Sequence, residues 1–396
     1  MAAAPAPRPA SGPLRYDPRS PEFHADPYAV YRRLRDEAPC FHDARTGTYA
    51  LSRFEDVLRV ANHPDGFSSE GTSVGAGLLP QIQQLDPPRH DELRALVSTV
   101  FTPRRVAAME PRVRAIARSL LDAMAGRRDP DLLRDFARWV PSSVIGEMIG
   151  VPRERQEEFL HWTESMVEIP QAAESQATNV RGAAEAIYAE FARLLEERRR
   201  ARRDDLMSAL LDAELGGYRL SREELLGFCF VLIVAGNDTT TNLIANGAVL
   251  LAQHPEQRAF LAADAARIPA AVEEMLRFES PAQALPRVVR RDVVLRGEPI
   301  PAGAQVLLLW GSANRDERAF PDADRFDVDR DARGHVGLGH GIHFCLGAHL
   351  ARLEARVAFE ELLARVPDYR LAERPTWRTS IWARAHPSVR IEFSPA

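Results

Sequence analysis

The chain contains no lysine; all 51 of its basic residues are arginine. That excludes every Schiff-base and lysine-nucleophile mechanism. Because arginine codons are GC-rich, it also points to a GC-rich host genome. Only three cysteines occur, Cys40, Cys229 and Cys345, which rules out a disulfide scaffold and any CxxC zinc site. Long hydrophobic runs are missing as well. The longest, Phe228 to Ala235, is about two fifths of the roughly 20 residues needed to span a bilayer. The first dozen residues carry no apolar core of the kind a signal peptide has. Excess positive charge is also absent. The net charge is −5, unlike that of nucleic-acid-binding or polybasic membrane-binding chains. A soluble, cytoplasmic protein is expected, with neither nucleic acid nor membrane as a partner.

What is present is enough to bury a large core: 396 residues, 45% of them hydrophobic. Length alone gives a soft prior of roughly two or three domains. Residues 1–13 are Ala/Pro-rich and expected to be disordered. No Gly/Ser or Pro linker cuts the rest, and no repeat is found. Helical patterning dominates, over 27–38, 90–100, 104–125, 132–149, 153–167 and 180–203. The clearest helix is expected over 221–253. Ser221 and Glu224 form a capping box, and the interior is apolar all round, as in a buried helix. Another helix lies between Pro269 and Pro281, and a third over 348–364. Strands are fewer. Residues 293–295 and 305–309 read as a hairpin across a Gly/Pro turn, with 48–52 and 388–393 as weaker candidates. The fold class is mainly α with a minor β part.

The most informative stretch runs from His335 to His349. Glycines at 337, 339, 341 and 347 let the backbone turn sharply and approach a flat ligand. Cys345 sits just before a helix, whose N-terminal dipole favours an anionic thiolate. A thiolate is a strong ligand for haem iron. A buried free cysteine is one alternative. A zinc site built from His335, His340, His343, Cys345 and His349 is another, although closed zinc sites usually draw ligands from two separated clusters.

Gly339-x-Gly341-x-His343-x-Cys345-x-Gly347 resembles the haem-binding loop of the cytochrome P450 superfamily. At average residue frequencies the five fixed positions match by chance on the order of once in 10⁷ starts. One departure is Leu338, where the family usually has a phenylalanine near the thiolate. It bears on redox tuning, not on ligation. The resemblance implies the P450 fold, with a long buried central helix over haem b and residues 14–396 forming one haem-binding domain. Cys345 would be the axial ligand of the iron.

Further motifs follow in the family's order. Ala235-Gly-Asn-Asp-Thr-Thr240 lies mid-helix, where glycine and consecutive threonines are poor helix formers. A local opening is expected there, with helix–helix packing as the alternative. Asp238 and Thr239 match the family's acid–alcohol pair, which orders water and delivers protons so that one atom of O₂ leaves as water. Glu274-x-x-Arg277 puts two side chains on one helix face. The resemblance adds Arg325 and makes the three a structural network under the cysteine loop. His90-x-x-x-Arg94 follows Asp86-Pro-Pro, a natural helix start. By resemblance these two, with Arg287 and His343, hold the haem propionates. Ala313-Asn-Arg-Asp316 and Phe320 through Asp327 resemble the structural loop that precedes the cysteine.

The resemblance implies a bacterial-type monooxygenase that inserts one oxygen atom of O₂ into a lipophilic small molecule, by hydroxylation or epoxidation, in secondary metabolism. The pocket would be lined by Leu78, Leu79, Ile82, Val231, Val234, Ala235, Ala282, Gln283, Leu285, Ile381 and Trp382. Most are apolar. Gln283 is the one uncharged polar handle, or else points to solvent. Glu168, Ile169 and Pro170 fall near the lid-like helix pair, and no role follows for them. Electrons would come from a ferredoxin and its reductase. Arg89, Arg104, Arg105, Arg112, Arg352 and Arg356 are candidates for docking it, and a monomer is expected. The alternatives are a haem-binding recognition or sensor protein without turnover, and a peroxide-using haem enzyme. An intact Asp238–Thr239 pair argues against both.

Overall fold

The computed structural model describes residues 13–72, 78, 79, 81–167 and 173–393. Residues 1–12, most of the segment expected to be disordered, and Glu168, Ile169 and Pro170 lie outside the described residues. The helices that bear on the site are α1 (Arg89–Val100), α2 (Trp139–Ile149), α3 (Gln156–Val167), α4 (Arg222–Gln253), α5 (Ile268–Phe278) and α6 (Ala348–Arg365).

The central helix α4 begins as its sequence dictates. The Ser221 hydroxyl accepts from the Glu224 N–H at 3.2 Å, and the Glu224 carboxylate accepts from the Ser221 N–H at 2.8 Å. Its 32 residues span about 48 Å at 1.5 Å per residue. Length and apolar composition alone would suit a membrane span, but two thirds of its most apolar window is buried inside the fold. It packs against α2, α3, α5 and α6 in one continuous hydrophobic core.

The expected opening at Ala235–Gly236 is not found; the helix is continuous through it. Gly236 is there for packing, since a Cβ at that position would overlap Cδ1 of Ile145 on α2. Thr239 stays within the ladder by donating its hydroxyl to the Ala235 carbonyl at 2.7 Å. The helix expected over 104–125 is also two, Pro103–Ala108 and Glu110–Ala125. Pro111, at the first turn of the second, cannot continue the first. The one expected over 132–149 opens with a π-helical turn, Leu133–Ala137, ahead of α2.

A five-stranded sheet runs in the order β1 (Cys40–Asp43), β2 (Thr48–Leu51), β7 (Gln305–Leu308), β4 (Leu285–Val289) and β3 (Phe67–Ser68). The hairpin expected between 293–295 and 305–309 is corrected. β5 (Val293–Leu295) pairs with β6 (Glu298–Ile300) across Arg296 and Gly297, both at positive φ, 54° and 88°. That is the backbone of a two-residue hairpin loop. β7 instead lies parallel to β2 and antiparallel to β4, with Val306 opposite Arg287. This register brings Arg287 to the site. β8 (Tyr369–Leu371) and β9 (Ile391–Phe393) form a separate ribbon.

Candidate active site

The cysteine loop is shaped by its own backbone. The Cys345 N–H returns to the Leu338 carbonyl at 2.9 Å and the Gly339 N–H to the Val336 carbonyl at 3.0 Å. Gly339 and Gly341 both sit at φ +71°, a conformation costly for any side chain. The loop then feeds α6, whose first residue N–H bonds the Cys345 carbonyl at 3.3 Å. Burial pushes the Cys345 thiol up, while the Gly347 N–H, Arg94 and Arg352 pull it back. Coordination to a metal would deprotonate the thiol outright.

Beneath the loop lies a fully matched polar network. Arg277, wholly buried, uses all five of its donors. Two go to the Glu274 carboxylate at 2.6 and 2.8 Å, and three to the carbonyls of Asn314, Ala323 and Arg325. Glu274 also takes the Asp327 N–H and Arg330 Nε. Here Arg325 is corrected. Its side chain is 62% exposed and pairs with Asp327; only its carbonyl joins the network. Arg330 is the second guanidinium on Glu274. Asn314, in the motif read as structural, accepts from the Val336 N–H at 2.7 Å and donates to Ser280.

A second anchor joins the loop to α5. His335 accepts the Gly337 N–H at Nδ1, so its Nε2 donates to Glu273 at 3.2 Å. Arg352 grips the same carboxylate with two bonds of 2.7 Å. Burial raises the Glu273 carboxyl, but Arg352 and His335 outweigh it and bring it to about 2.

Four cationic or proton-bearing groups gather near the cysteine. His90 and Arg94, one turn apart on α1, are joined by His343, whose ring meets that of His90 at 4.5 Å. The His343 Nε2 lies 2.9 Å from the Ser69 hydroxyl, and burial, then Arg287 and His90, push its pKa down to about 3. Arg94 donates to the Phe344 carbonyl at 2.7 Å. Arg287 is 7% exposed and bonds only the Pro286 carbonyl, with no carboxylate partner among the described residues. Burial lowers it to about 10. The His90 Nδ1 lies 2.8 Å from the Asp91 carboxylate, and its Nε2 is buried with no partner among the described residues. A buried guanidinium and an orphaned imidazole nitrogen are costly unless an anion meets them. Two propionates beside a flat macrocycle fit this set, and Cys345 would be the residue that holds the iron. No group of three His, Cys, Asp or Glu side chains able to hold a metal ion occurs among the described residues, so the zinc reading finds no ligand cluster.

On α4, Ala235 and Thr239 stand exposed within a helix otherwise largely buried, and Val231 and Val234 are half-buried beside them. Leu285 is exposed on β4, while Ala282, Ile381, Trp382, Leu78 and Leu79 are half-buried and Ile82 is buried. The segment before Ile82 is described only in part. Gln283 is corrected as a handle. Its amide is buried, accepting from the Tyr31 hydroxyl at 3.2 Å and donating to the Ser280 carbonyl at 2.7 Å. Asp238 accepts from Asn242 at 3.0 Å and from Arg378 at 2.9 Å. Arg378, 140 residues away in sequence, carried no signal in the sequence.

Of the six candidate docking arginines, four are tied to carboxylates. Arg89 pairs with Glu92 and Glu224, Arg112 with Glu147, Arg352 with Glu273, and Arg356 with Glu110 and Glu360. Arg104 and Arg105 are exposed and have no carboxylate partner among the described residues.

Comparison with known proteins agrees with this geometry. Residues 81–366 match the family Cytochrome P450. The chain is 42% identical to the cytochrome P450 monooxygenase PikC of Streptomyces venezuelae over 369 residues, 89% of this chain and 87% of that one. It superposes on cytochrome P450 CYP109Q5 from Chondromyces apiculatus with a TM-score of 0.89 at 42% identity, covering 96% and 98% of the two chains. CYP109E1 from Bacillus megaterium in complex with testosterone is similar at TM-score 0.86 and 34% identity, covering 93% of this chain and 100% of that one. The chain therefore belongs to the cytochrome P450 family and is a haem-thiolate monooxygenase that uses haem b.

Proposed function

We propose that residues 14–396 act as one haem-binding unit, soluble, cytoplasmic and monomeric, that hydroxylates or epoxidises a lipophilic small molecule of secondary metabolism. The observation that carries the substrate class is the apolar stripe of Val231, Val234, Ala235 and Leu285, left half-buried or exposed inside the fold. With Gln283 withdrawn into its own hydrogen bonds, this wall offers no uncharged amide to a ligand. Shape and apolar contact would then select the substrate.

The haem supplies O₂ activation when bound. Cys345 holds the iron, and Arg287, Arg94, His90 and His343 hold the propionates by charge and hydrogen bonding. Asp238 and Thr239 carry the protons. Titrating the ferric protein with a panel of steroids, terpenoids, macrolides and fatty acids tests the substrate class. A Soret shift with apolar members and none with small polar compounds supports it, and the reverse rejects it.

Family members take electrons from separate redox partners. For this chain we assign a ferredoxin with its reductase, docking over Arg104 and Arg105. Ferredoxins are acidic, and these two arginines have charge to spare. Reversing both charges together should slow reduction by a ferredoxin at low salt and have less effect at high salt. An unchanged rate would remove them from the docking face.

A further inference from the structure

The groups that face the propionates come from segments far apart in the chain: His90 and Arg94 from α1, Arg287 from β4 and His343 from the cysteine loop. One buried residue outside this set is tied to all three segments. Asp86 is 4% exposed. Its main-chain carbonyl accepts the His90 N–H at 2.9 Å and closes the first turn of α1. Its carboxylate accepts the Ser69 N–H at 3.0 Å, the Ser68 hydroxyl and the Arg290 guanidinium. Ser68 lies opposite Val288 in the pairing of β3 with β4, and the Arg290 N–H extends that pairing to the Gly66 carbonyl at 2.9 Å. The Ser69 hydroxyl in turn meets His343 Nε2 at 2.9 Å. Asp86 therefore joins α1, the β3–β4 pair and the cysteine loop.

Asp86 also carries a charge. Burial opposes its ionisation, but Ser68, the Ser69 N–H and Arg290 outweigh burial and hold the carboxyl below its ordinary range. Its field acts on Arg287 and on His343. The other acids close by, Asp65, Glu70 and Asp91, are exposed, where water screens them. A buried charge is screened far less and acts over a longer distance. Asp86 is thus the carboxylate that bears most directly on this corner of the site. A negative charge fixed beside a redox centre opposes the uptake of an electron.

We propose that Asp86 is a positioning residue for the haem: its hydrogen bonds hold the three propionate-binding segments in register, and its buried charge sets the potential at which the bound cofactor is reduced. The proposal rests on the propionate roles given to Arg287, Arg94, His90 and His343. Its two parts separate by chemistry. Register depends on the bonds through Ser69 to His343. The potential depends on charge, and Arg290, the guanidinium on the Asp86 carboxylate, acts with the opposite sign. Removing the negative charge eases reduction, and removing the positive one hinders it. A pair that served as structural support alone would give damage of one kind whichever partner was lost.

The test uses the haem-loaded protein and two readouts: the ferric–ferrous potential by spectroelectrochemistry at low, fixed ionic strength, and the rate of haem transfer to apomyoglobin. Asp86→Asn keeps an acceptor for the Ser69 N–H and loses the charge, so the potential should move upward. Arg290→Gln, at a side chain 44% exposed, should move it downward, and the double variant should return toward the wild-type value. Ser69→Ala keeps the charge but cuts the tie to His343. It should leave the potential near wild type and speed haem loss several-fold. An intact ferrous–CO band in each variant shows that the fold is retained. Should Asp86→Asn fail to fold, the shift in Arg290→Gln and the haem loss in Ser69→Ala decide. Wild-type potentials in the two charge variants, or shifts of the same sign, would overturn the charge role. Wild-type haem retention in Ser69→Ala would overturn the positioning role. Arg287→Leu checks the propionate assignment beneath both. Unchanged haem retention there would sink that assignment, whereas faster loss there beside wild-type behaviour in the Asp86, Arg290 and Ser69 variants would sink this proposal alone.

Discussion

The two sides of the haem site are built on opposite principles. Under the cysteine loop, Arg277 spends all five donors, Glu274 accepts four bonds, and His335 is fixed through both nitrogens. On the flank of α4, Arg138 Nε, Arg378 Nε, Asn237 Oδ1 and His386 Nε2 are buried around Asp238 without partners among the described residues. Satisfied networks rigidify, and unsatisfied ones need solvent to complete them. The contrast matches the tasks. The role proposed for Cys345 requires a ligand that is held still, whereas the proton-carrying role proposed for Asp238 requires a change of partners.

The largest effect should come from breaking the satisfied side. Glu274→Gln leaves Arg277 buried and partly unmatched, and removing one partner of a buried pair typically costs about 3–5 kcal/mol. Urea unfolding followed by tryptophan fluorescence should show that loss, together with poor haem retention. A midpoint within error of wild type would mean that the network is not what holds the loop. On the solvent-dependent side, Thr239→Ala should scarcely move that midpoint. It should divert reducing equivalents into peroxide at the expense of product, as measured by product formed per NAD(P)H consumed.

A pH series sharpens the comparison. The Glu273 carboxyl titrates at about 2 in the folded chain, below its ordinary value of 4.5. A carboxyl depressed on folding contributes stability above its unfolded pKa, and that contribution is lost as pH falls through the folded one. The gap in urea midpoint between wild type and Glu273→Gln should therefore be full near neutrality and close between about pH 4.5 and 2. A gap that stays constant over that window would refute the assignment. The smallest effect belongs to Arg325→Ala. An exposed pair with Asp327 is worth at most about 1 kcal/mol, whereas Arg330→Ala, which strips a bond from buried Glu274, should cost visibly more in the same assay.

What the sequence made legible was local. The capping box of α4 lies within four residues, and the haem loop announces itself over nine. Both signals survive because the residues that define them are near neighbours. What it hid was distant or positional. Arg325 and Arg330 lie five residues apart in one irregular loop, and only the folded path decides which guanidinium turns inward and which outward. Gln283 looked like a pocket residue until Tyr31, 252 residues away, took its amide. The β7 error had the same origin. Its partners β2 and β4 are not its chain neighbours, while the Arg296–Gly297 turn was a local clue to the true hairpin.

The saturation of Arg277 also bears on the order of events during synthesis. Its carbonyl partners belong to residues 314, 323 and 325, and the loop it supports ends at Cys345. These contacts need about four-fifths of the 396 residues to have been released, and the loop they support needs nearly nine-tenths. The nascent protein must therefore wait for its last segment before it can capture haem, so premature termination anywhere upstream yields a product without cofactor rather than a partly active one.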